Sequence, residues 1–467
     1  MKTTFDFIVI GSGPGGYSAA IRAAQLGYTT AIVEKYSALG GTCTNVGCIP
    51  SKALLDSTEH YHTAQTKFED MGIHTGQLSL DTNQLFARKD SVVAQNAKGI
   101  RYLMDKNKIE VFEGMGAFLN DTTLQVINAE TTHQLTARYF IIATGSKPAS
   151  LPEITIDKKR IISSTEALSL GQKPNKMTII GGGVIGVEMA SIFSRMGTKV
   201  TIIEYADELL PSMDRELGKT LKRSLKKQGV NVLVSHKVQT VKSYVNTVTV
   251  SYLDNKGKEQ EQTADYCLVA VGRKPYTEGL GLENTTVQQD EKGRILTNEK
   301  LQTHASNIYA IGDVIQGAML AHKAEEEGIF VVETIHGQQP QIHYDRIPGV
   351  VYSWPEVASV GKTEEELKAE GKDYNIGKFP FSASGRARAA GENEGFAKVL
   401  TDAKYGEILG VHIFGPRAAD LIAQAVTAIK LEATDQFLTA ISYAHPTYSE
   451  ALKEAYWEAS GKGSINL

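Results

Sequence analysis

Cysteine is scarce in this chain, with three residues in 467. So few argue against a secreted scaffold stapled by disulfides, which needs many paired cysteines. Long apolar runs are also missing. No stretch of about 18 apolar residues occurs, so no membrane span is expected. Neither sign of charge dominates, the formal net charge being −4. Nucleic acid and anionic membrane surfaces both demand clustered Lys and Arg, so neither is an expected partner, and a small molecule is. The amino terminus, MKTTFDFIVIGSGPGG, carries no charged leader followed by a cleavage site. It reads as a first strand, and the expected location is the cytoplasm.

What is present is a globular composition, 42% hydrophobic and 22% charged, on a chain too long for one core. An internal repeat organises it. FIVIGSGPGG, with Gly11, Gly13 and Gly16, is echoed by TIIGGGVIGVE, with Gly181, Gly183 and Gly186, at an offset of 170. Gly27 and Gly197 keep that offset, as do Glu34 and Glu204, which close YTTAIVE and TKVTIIE. Each copy reads as strand, glycine turn, helix and second strand ending in Glu, the dinucleotide-binding unit. One glycine makes the tight turn, one admits a pyrophosphate to the backbone, and one lets the helix pack on the strand, while the carboxylate grips a ribose. A second echo pairs ARYFIIATGSKP with ADYCLVAVGRKP at an offset of 127, so the first copy carries about 43 extra residues. From about Arg346, strand-like KVLTDAKYGEILGVHIFG and helix-like AADLIAQAVTAIKLEA follow.

Cys43 and Cys48 fall inside those extra residues, in GGTCTNVGCIPSKALL. In an ideal helix positions five apart are about 8.7 Å apart between Cα atoms, and a disulfide tolerates about 7 Å. The segment must therefore leave regular helix, and Gly47 supplies the freedom. Pro50 and SKALL predict a helix, whose N-terminus favours a Cys48 thiolate. The alternative is a pair of unrelated buried thiols. Their place just after a nucleotide-binding unit, where a flavin ring could lie, favours a redox couple. Cys267, inside ADYCLVAVG, reads as a packed, inert thiol.

These residues resemble the flavin-dependent pyridine nucleotide disulfide oxidoreductases over essentially the whole chain. The motifs are GSGPGG, GGTCTNVGCIPSK, ATGSKP, GGGVIGVE, VGRKP, YAIGD with LAHKAEEEG, VYSWPEVASVG and AHPTYSE. The resemblance implies an α/β fold with two Rossmann-like dinucleotide-binding domains, for FAD and NAD, and an α+β carboxy-terminal dimerisation domain. Its expected division is an FAD domain with the cysteine pair at 1–148, an NAD domain at 149–275, a central domain completing the FAD site at 276–345, and an interface domain at 346–467. It implies that Gly11, Gly13, Gly16 and Glu34 hold the adenine half of FAD, that Lys52 lies near the flavin ring, that Asp313 holds the ribityl chain, and that Gly116 and Ala321 contact the flavin. Gly181, Gly183, Gly186, Glu204, Val238 and Gly272 match the NAD site. By the same likeness Cys48 faces the flavin, Cys43 exchanges with the substrate thiol, and His445, oriented by Glu450, is the acid/base supplied by the partner subunit of a homodimer. The other ten histidines read as structural.

The implied activity is oxidation of dihydrolipoamide, free or on a lipoyl domain, with reduction of NAD, as a component of a 2-oxo acid dehydrogenase complex. Alternatives are a glutathione, mercuric or coenzyme A disulfide reductase. The chain ends GKGSINL, without the cysteine pair that mercury chemistry needs. NAD is expected over NADP, because no Arg follows Glu204 in YADELL to receive a 2′-phosphate. Three positions depart from the commonest pattern: Thr44 where Leu is usual, Tyr443 where His is common, and Tyr448 where Leu is common.

Overall fold

The structure is a computed structural model that describes residues 2–467. The chain divides into two compact units, and each draws on separated segments. The first holds the residues up to Leu54, Asn83–Ala149 and Gly272–Ile342, and the second holds Leu55–Thr82, Ser150–Val271 and His343–Leu467.

The first unit starts with β1 (Thr4–Ile10), α1 (Pro14–Gln25) and β2 (Thr30–Glu34). In β1 the run Phe7–Ile10 is buried throughout, as expected of a parallel strand covered on both faces. Next come α2 (Gly41–Val46), α3 (Cys48–Thr66), which passes into the second unit, and α4 (Thr82–Lys106). The strands β3 (Glu110–Glu113), β4 (Met115–Asn120), β5 (Thr123–Ile127) and β6 (Thr132–Ile142) complete the sheet. Its order is β3-β2-β1-β6-β5-β4, with the short strand Ile308–Ala310 also parallel to β6. The long β6 pairs parallel with β1 and antiparallel with β5, so one strand joins the nucleotide-binding half to a meander.

In the second unit β7 (Lys176–Ile180), α5 (Val184–Arg195), β8 (Lys199–Ile203), β9 (Asn231–Leu233) and β10 (Tyr266–Val269) repeat this plan. The parallel order β9-β8-β7-β10 copies β3-β2-β1-β6. The same unit carries a five-stranded antiparallel sheet of β11 (Gly349–Val351), β12 (Glu356–Gly361), β13 (Tyr374–Pro380), β14 (Phe396–Asp402) and β15 (Ile408–Gly415), ordered β11-β12-β15-β14-β13. Helix α6 (Ala418–Lys430) buries Ala418, Leu421, Ile422, Ala425 and Ala428 on this sheet's core, the spacing of one apolar helix face. Helix α7 (Glu450–Ala459) buries Ala451, Leu452, Ala455 and Tyr456 in the same core.

One polar cluster lies inside the second unit. Lys398 on β14 is 2% exposed, and its Nζ lies 3.0 Å from Asp214 Oδ2 and 2.6 Å from Glu364 Oε2. Asp214 caps the helix Arg215–Lys227 by accepting from Glu216 N at 3.0 Å. Among the described residues no helix is long and apolar enough to cross a membrane.

Candidate active site

The two glycine turns are built alike. A Cβ on Gly16 would sit 2.0 Å from Gly11 O, and one on Gly186 would sit 2.0 Å from Gly181 O, so each helix packs on its turn as closely as glycine allows. The closing carboxylates follow the same rule. Glu34 Oε2 accepts from Ser12 N at 2.9 Å and Oε1 from Tyr36 N at 3.1 Å. Glu204 Oε2 accepts from Gly182 N at 2.5 Å and Oε1 from Ala206 N at 2.6 Å. Gly13 and Gly183 are the N-cap residues of α1 and α5, neither helix has a side-chain cap, and nothing lies within 4 Å of a Cβ position on either glycine. First-turn N–H groups that face open space beside a helix's positive end are a cradle for a pyrophosphate. The chain has two.

The cysteine segment leaves regular helix at Gly47, whose φ of −140° and ψ of −109° separate α2 from α3. There is no room for a side chain there, since a Cβ on Gly47 would meet Thr42 O at 2.9 Å. Cys43 and Cys48 are half-buried free thiols, joined by a hydrogen bond that pushes the Cys43 thiol far above its ordinary range, with burial and the neighbouring Cys48 charge adding to it. The Lys52 ammonium acts against this rise, and Glu325 adds to it. Cys48 stands at the first position of α3, a helix end that favours an anionic sulfur. Cys267 is wholly buried, and burial raises its thiol as well, as fits an inert core group.

The first unit holds a further polar centre. Ser146 Oγ donates to Asp313 Oδ2 at 2.5 Å, and Arg273 donates to both Ser146 Oγ and Ser146 O at 2.7 Å. Ser146 and Arg273 occupy equivalent places in the two echoes ATGSKP and AVGRKP, and the strands Ser146–Pro148 and Arg273–Pro275 pair antiparallel with each other. That equivalence was the signal by which sequence reasoning could have found them. It also passed over Lys323 and Glu327 in LAHKAEEEG, a buried ion pair at 2.8 Å whose carboxylate accepts from Gly312 N at 2.7 Å. Tyr17, whose hydroxyl bonds Glu325 at 3.0 Å, was likewise unforeseen. Ala321 opens the helix Ala321–Ile335, and Gly116 lies buried on β4 against Val33. Gly272 belongs to the first unit, and its carbonyl accepts from Ala149 N at 3.0 Å.

In the second unit His445 Nδ1 lies 2.8 Å from Glu450 Oε1, and Thr447 N donates to Glu450 Oε2 at 2.8 Å. The carboxylate thus orients the ring and leaves Nε2 outward. The His445 side chain is 81% exposed on this chain. Val238 lies on the strand Lys237–Ser243, opposite Tyr252. A cavity of about 250 Å³ in this unit is lined by Glu59, His62, Gln228, Trp354, Glu392 and Pro416 among others, and by none of the predicted site residues.

Comparison with known proteins decides the family. Residues 5–328 match the family described as pyridine nucleotide-disulphide oxidoreductase, and residues 347–456 match its dimerisation domain. The chain belongs to the pyridine nucleotide-disulphide oxidoreductases. It is an oxidoreductase of a family whose cofactors are FAD and NAD. The chain is 48% identical to dihydrolipoyl dehydrogenase 2, mitochondrial, of Arabidopsis thaliana, over 96% of this chain and 89% of that protein. To dihydrolipoyl dehydrogenase 3 of Pseudomonas putida it is 45% identical over 98% of both. Among solved structures, a copper(II) complex of the HOCl-induced flavoprotein disulfide reductase of Escherichia coli matches with a TM-score of 0.88 and 28% identity, over 97% of this chain and 99% of that one. For an oxidoreductase of this family the two uncapped helix ends and their carboxylates are a fitting place for FAD and NAD. The dimerisation domain supports a homodimer.

Proposed function

We propose that this chain oxidises dihydrolipoamide to lipoamide and reduces NAD, with Cys43 and Cys48 as the redox couple, as the dehydrogenase component of a 2-oxo acid dehydrogenase complex. The observation that carries the reading is the cysteine pair itself: two hydrogen-bonded thiols held across the break at Gly47, beside the first of two dinucleotide turns. The names of the relatives supply the substrate.

In the oxidised protein the two sulfurs are joined. His445 Nε2 takes a proton from the substrate dithiol, because a neutral imidazole oriented through Nδ1 is suited to that task near neutral pH. The substrate thiolate attacks Cys43 Sγ, the Cys43–Cys48 bond breaks, and the electron pair leaves on Cys48. The second substrate thiol displaces Cys43, giving cyclic disulfide and a Cys43 thiol. Gly11, Gly13, Gly16, Glu34, Lys52, Gly116, Asp313 and Ala321 would hold FAD, which when bound supplies the two-electron relay from the thiolate to the nicotinamide. Gly181, Gly183, Gly186, Glu204, Val238 and Gly272 would hold NAD, which leaves as NADH. An 81% exposed base fits service to the cysteine pair of a second chain, so the dimer is the working unit.

NADH-linked turnover with lipoamide, glutathione disulfide and coenzyme A disulfide tests this reading. Lipoamide is expected to be reduced fastest. A faster reaction with either of the others would move the chain to a disulfide reductase of the same family.

A further inference from the structure

The loop that carries His445 runs from Ala444 to Ser449, between the helix Asp435–Thr439 and α7, and 444–446 are exposed. Much of its bonding is internal. Glu450 holds His445 and Thr447 N, and Thr447 Oγ1 donates to Ala444 O at 2.8 Å. Such bonds tie the loop to itself and to the first turn of α7.

Side-chain bonds also reach elements remote from the loop in sequence. Gln424 Nε2 donates to Ser449 Oγ at 2.7 Å, in an exposed position where water competes. A second such bond is half-buried: Tyr448 Oη donates to Glu392 Oε2 in a short hydrogen bond. The Tyr448 ring packs on the core of the carboxy-terminal sheet, edge-on to Phe381 with centroids 6.4 Å apart, and Arg386 lies 5.4 Å above it. Glu392 follows Gly391, the left-handed cap of the helix Gly385–Ala390, so its backbone is set by a regular element. Burial and the Glu392 carboxylate push the Tyr448 hydroxyl up to about 12, which keeps it a donor near neutral pH.

We infer that Tyr448 and Glu392 form a positioning pair, which pegs the His445 loop to the carboxy-terminal sheet and so fixes the base for proton transfer. Tyr448 stands three residues from His445, and a hydrogen bond to a charged acceptor in a half-buried site is among the stronger single tethers. Neither side chain touches the reacting atoms. Both act through where they hold the loop. The inference rests on the proposed role of His445 in thiol oxidation.

The test compares Tyr448→Phe, Glu392→Ala, Glu392→Gln and the Phe/Ala double variant as holoenzymes. Two reactions are read: dihydrolipoamide oxidation by NAD, and NADH oxidation by ferricyanide, which needs no thiol base. A misplacement of about 1 Å in a catalytic group can lower turnover by about a hundredfold, and a smaller one by less. Tyr448→Phe and Glu392→Ala are each expected to lower kcat with dihydrolipoamide about tenfold, with KM for NAD and the ferricyanide reaction unchanged. The double variant is expected to match either single one, because both remove one bond. Glu392→Gln keeps an acceptor and is expected to retain most of the wild-type kcat. Wild-type kcat in Tyr448→Phe, additive losses, or an equal loss in the ferricyanide reaction each overturns the inference. A wild type inactive on dihydrolipoamide overturns the proposed function instead, and the comparison is then made with whichever of glutathione disulfide or coenzyme A disulfide it reduces. A wild type that handles no thiol or disulfide overturns both.

Discussion

Replacing Lys398 by Met removes the cation from the buried cluster and leaves its carboxylates in place. Lys398 is 2% exposed and Asp214 0%, so the surviving Asp214 charge has no access to water in the fold. Removing one partner of a buried ion pair costs about 3–5 kcal/mol, most of it the stranded charge. With a urea m-value of about 3 kcal/mol/M, the midpoint falls by about 1–1.7 M at neutral pH. The pH dependence has a definite sign. Burial alone would raise the Glu364 carboxyl, but its bonds to Lys368 and Lys398 hold it at about 2 against an ordinary 4.5. Asp214 is lowered too, with His412 and Lys398 overcoming its burial. A depressed carboxyl stabilises the fold above its unfolded value and loses that contribution as pH falls through the folded one. The difference between wild type and variant is therefore full at neutral pH and narrows as acid protonates the stranded carboxylates of the variant before those that Lys398 holds low in the wild type. Trp354 and Trp457, the two tryptophans of the chain, both lie in the second unit with the cluster, so fluorescence reports its unfolding. An unchanged midpoint at pH 7.5, or a difference that widens in acid, would refute the reasoning.

Cys43→Ser and Cys48→Ser are each expected to abolish dithiol turnover while FAD stays bound. Only Cys48→Ser should remove the long-wavelength absorption of a thiolate beside flavin; if the band survives there, the roles of the two sulfurs are reversed. Gly186→Ala places a Cβ 2.0 Å from Gly181 O and is expected to raise KM for NAD at least about tenfold without releasing FAD, which kinetics and absorbance at saturating NAD would check. NAD should outperform NADP, because Glu204 repels a 2′-phosphate, and equal turnover with both would count against that assignment. Mixing inactive His445→Ala and Cys43→Ser chains is expected to restore up to about a quarter of wild-type activity through hybrids with one intact site. Verified hybrids with no activity would mean that His445 does not serve a partner.

The nucleotide-binding halves were legible because backbone geometry dictates their residues: only glycine tolerates the contacts at Gly16 and Gly186, so the pattern had to surface twice. The break at Gly47 was legible from spacing alone, since a regular helix cannot join Cys43 to Cys48. Less visible were groups whose partners are far away in sequence. Ser146 and Asp313 are 167 residues apart, and Lys398 and Asp214 are 184, separations over which no local periodicity operates. Tyr448 was noticed as a departure, yet its bond to Glu392, 56 residues away, needed the fold.

The central claim is that Cys43 and Cys48 alternate between disulfide and dithiol at the expense of the nicotinamide. Counting thiols tests it most directly: the air-oxidised protein is denatured in iodoacetamide with and without anaerobic reduction by NADH, and alkylated peptides are mapped. One labelled cysteine per chain, Cys267, is expected before reduction, and three after it, the new ones being Cys43 and Cys48. A count that NADH does not change, or one that rises without both Cys43 and Cys48, would contradict the account.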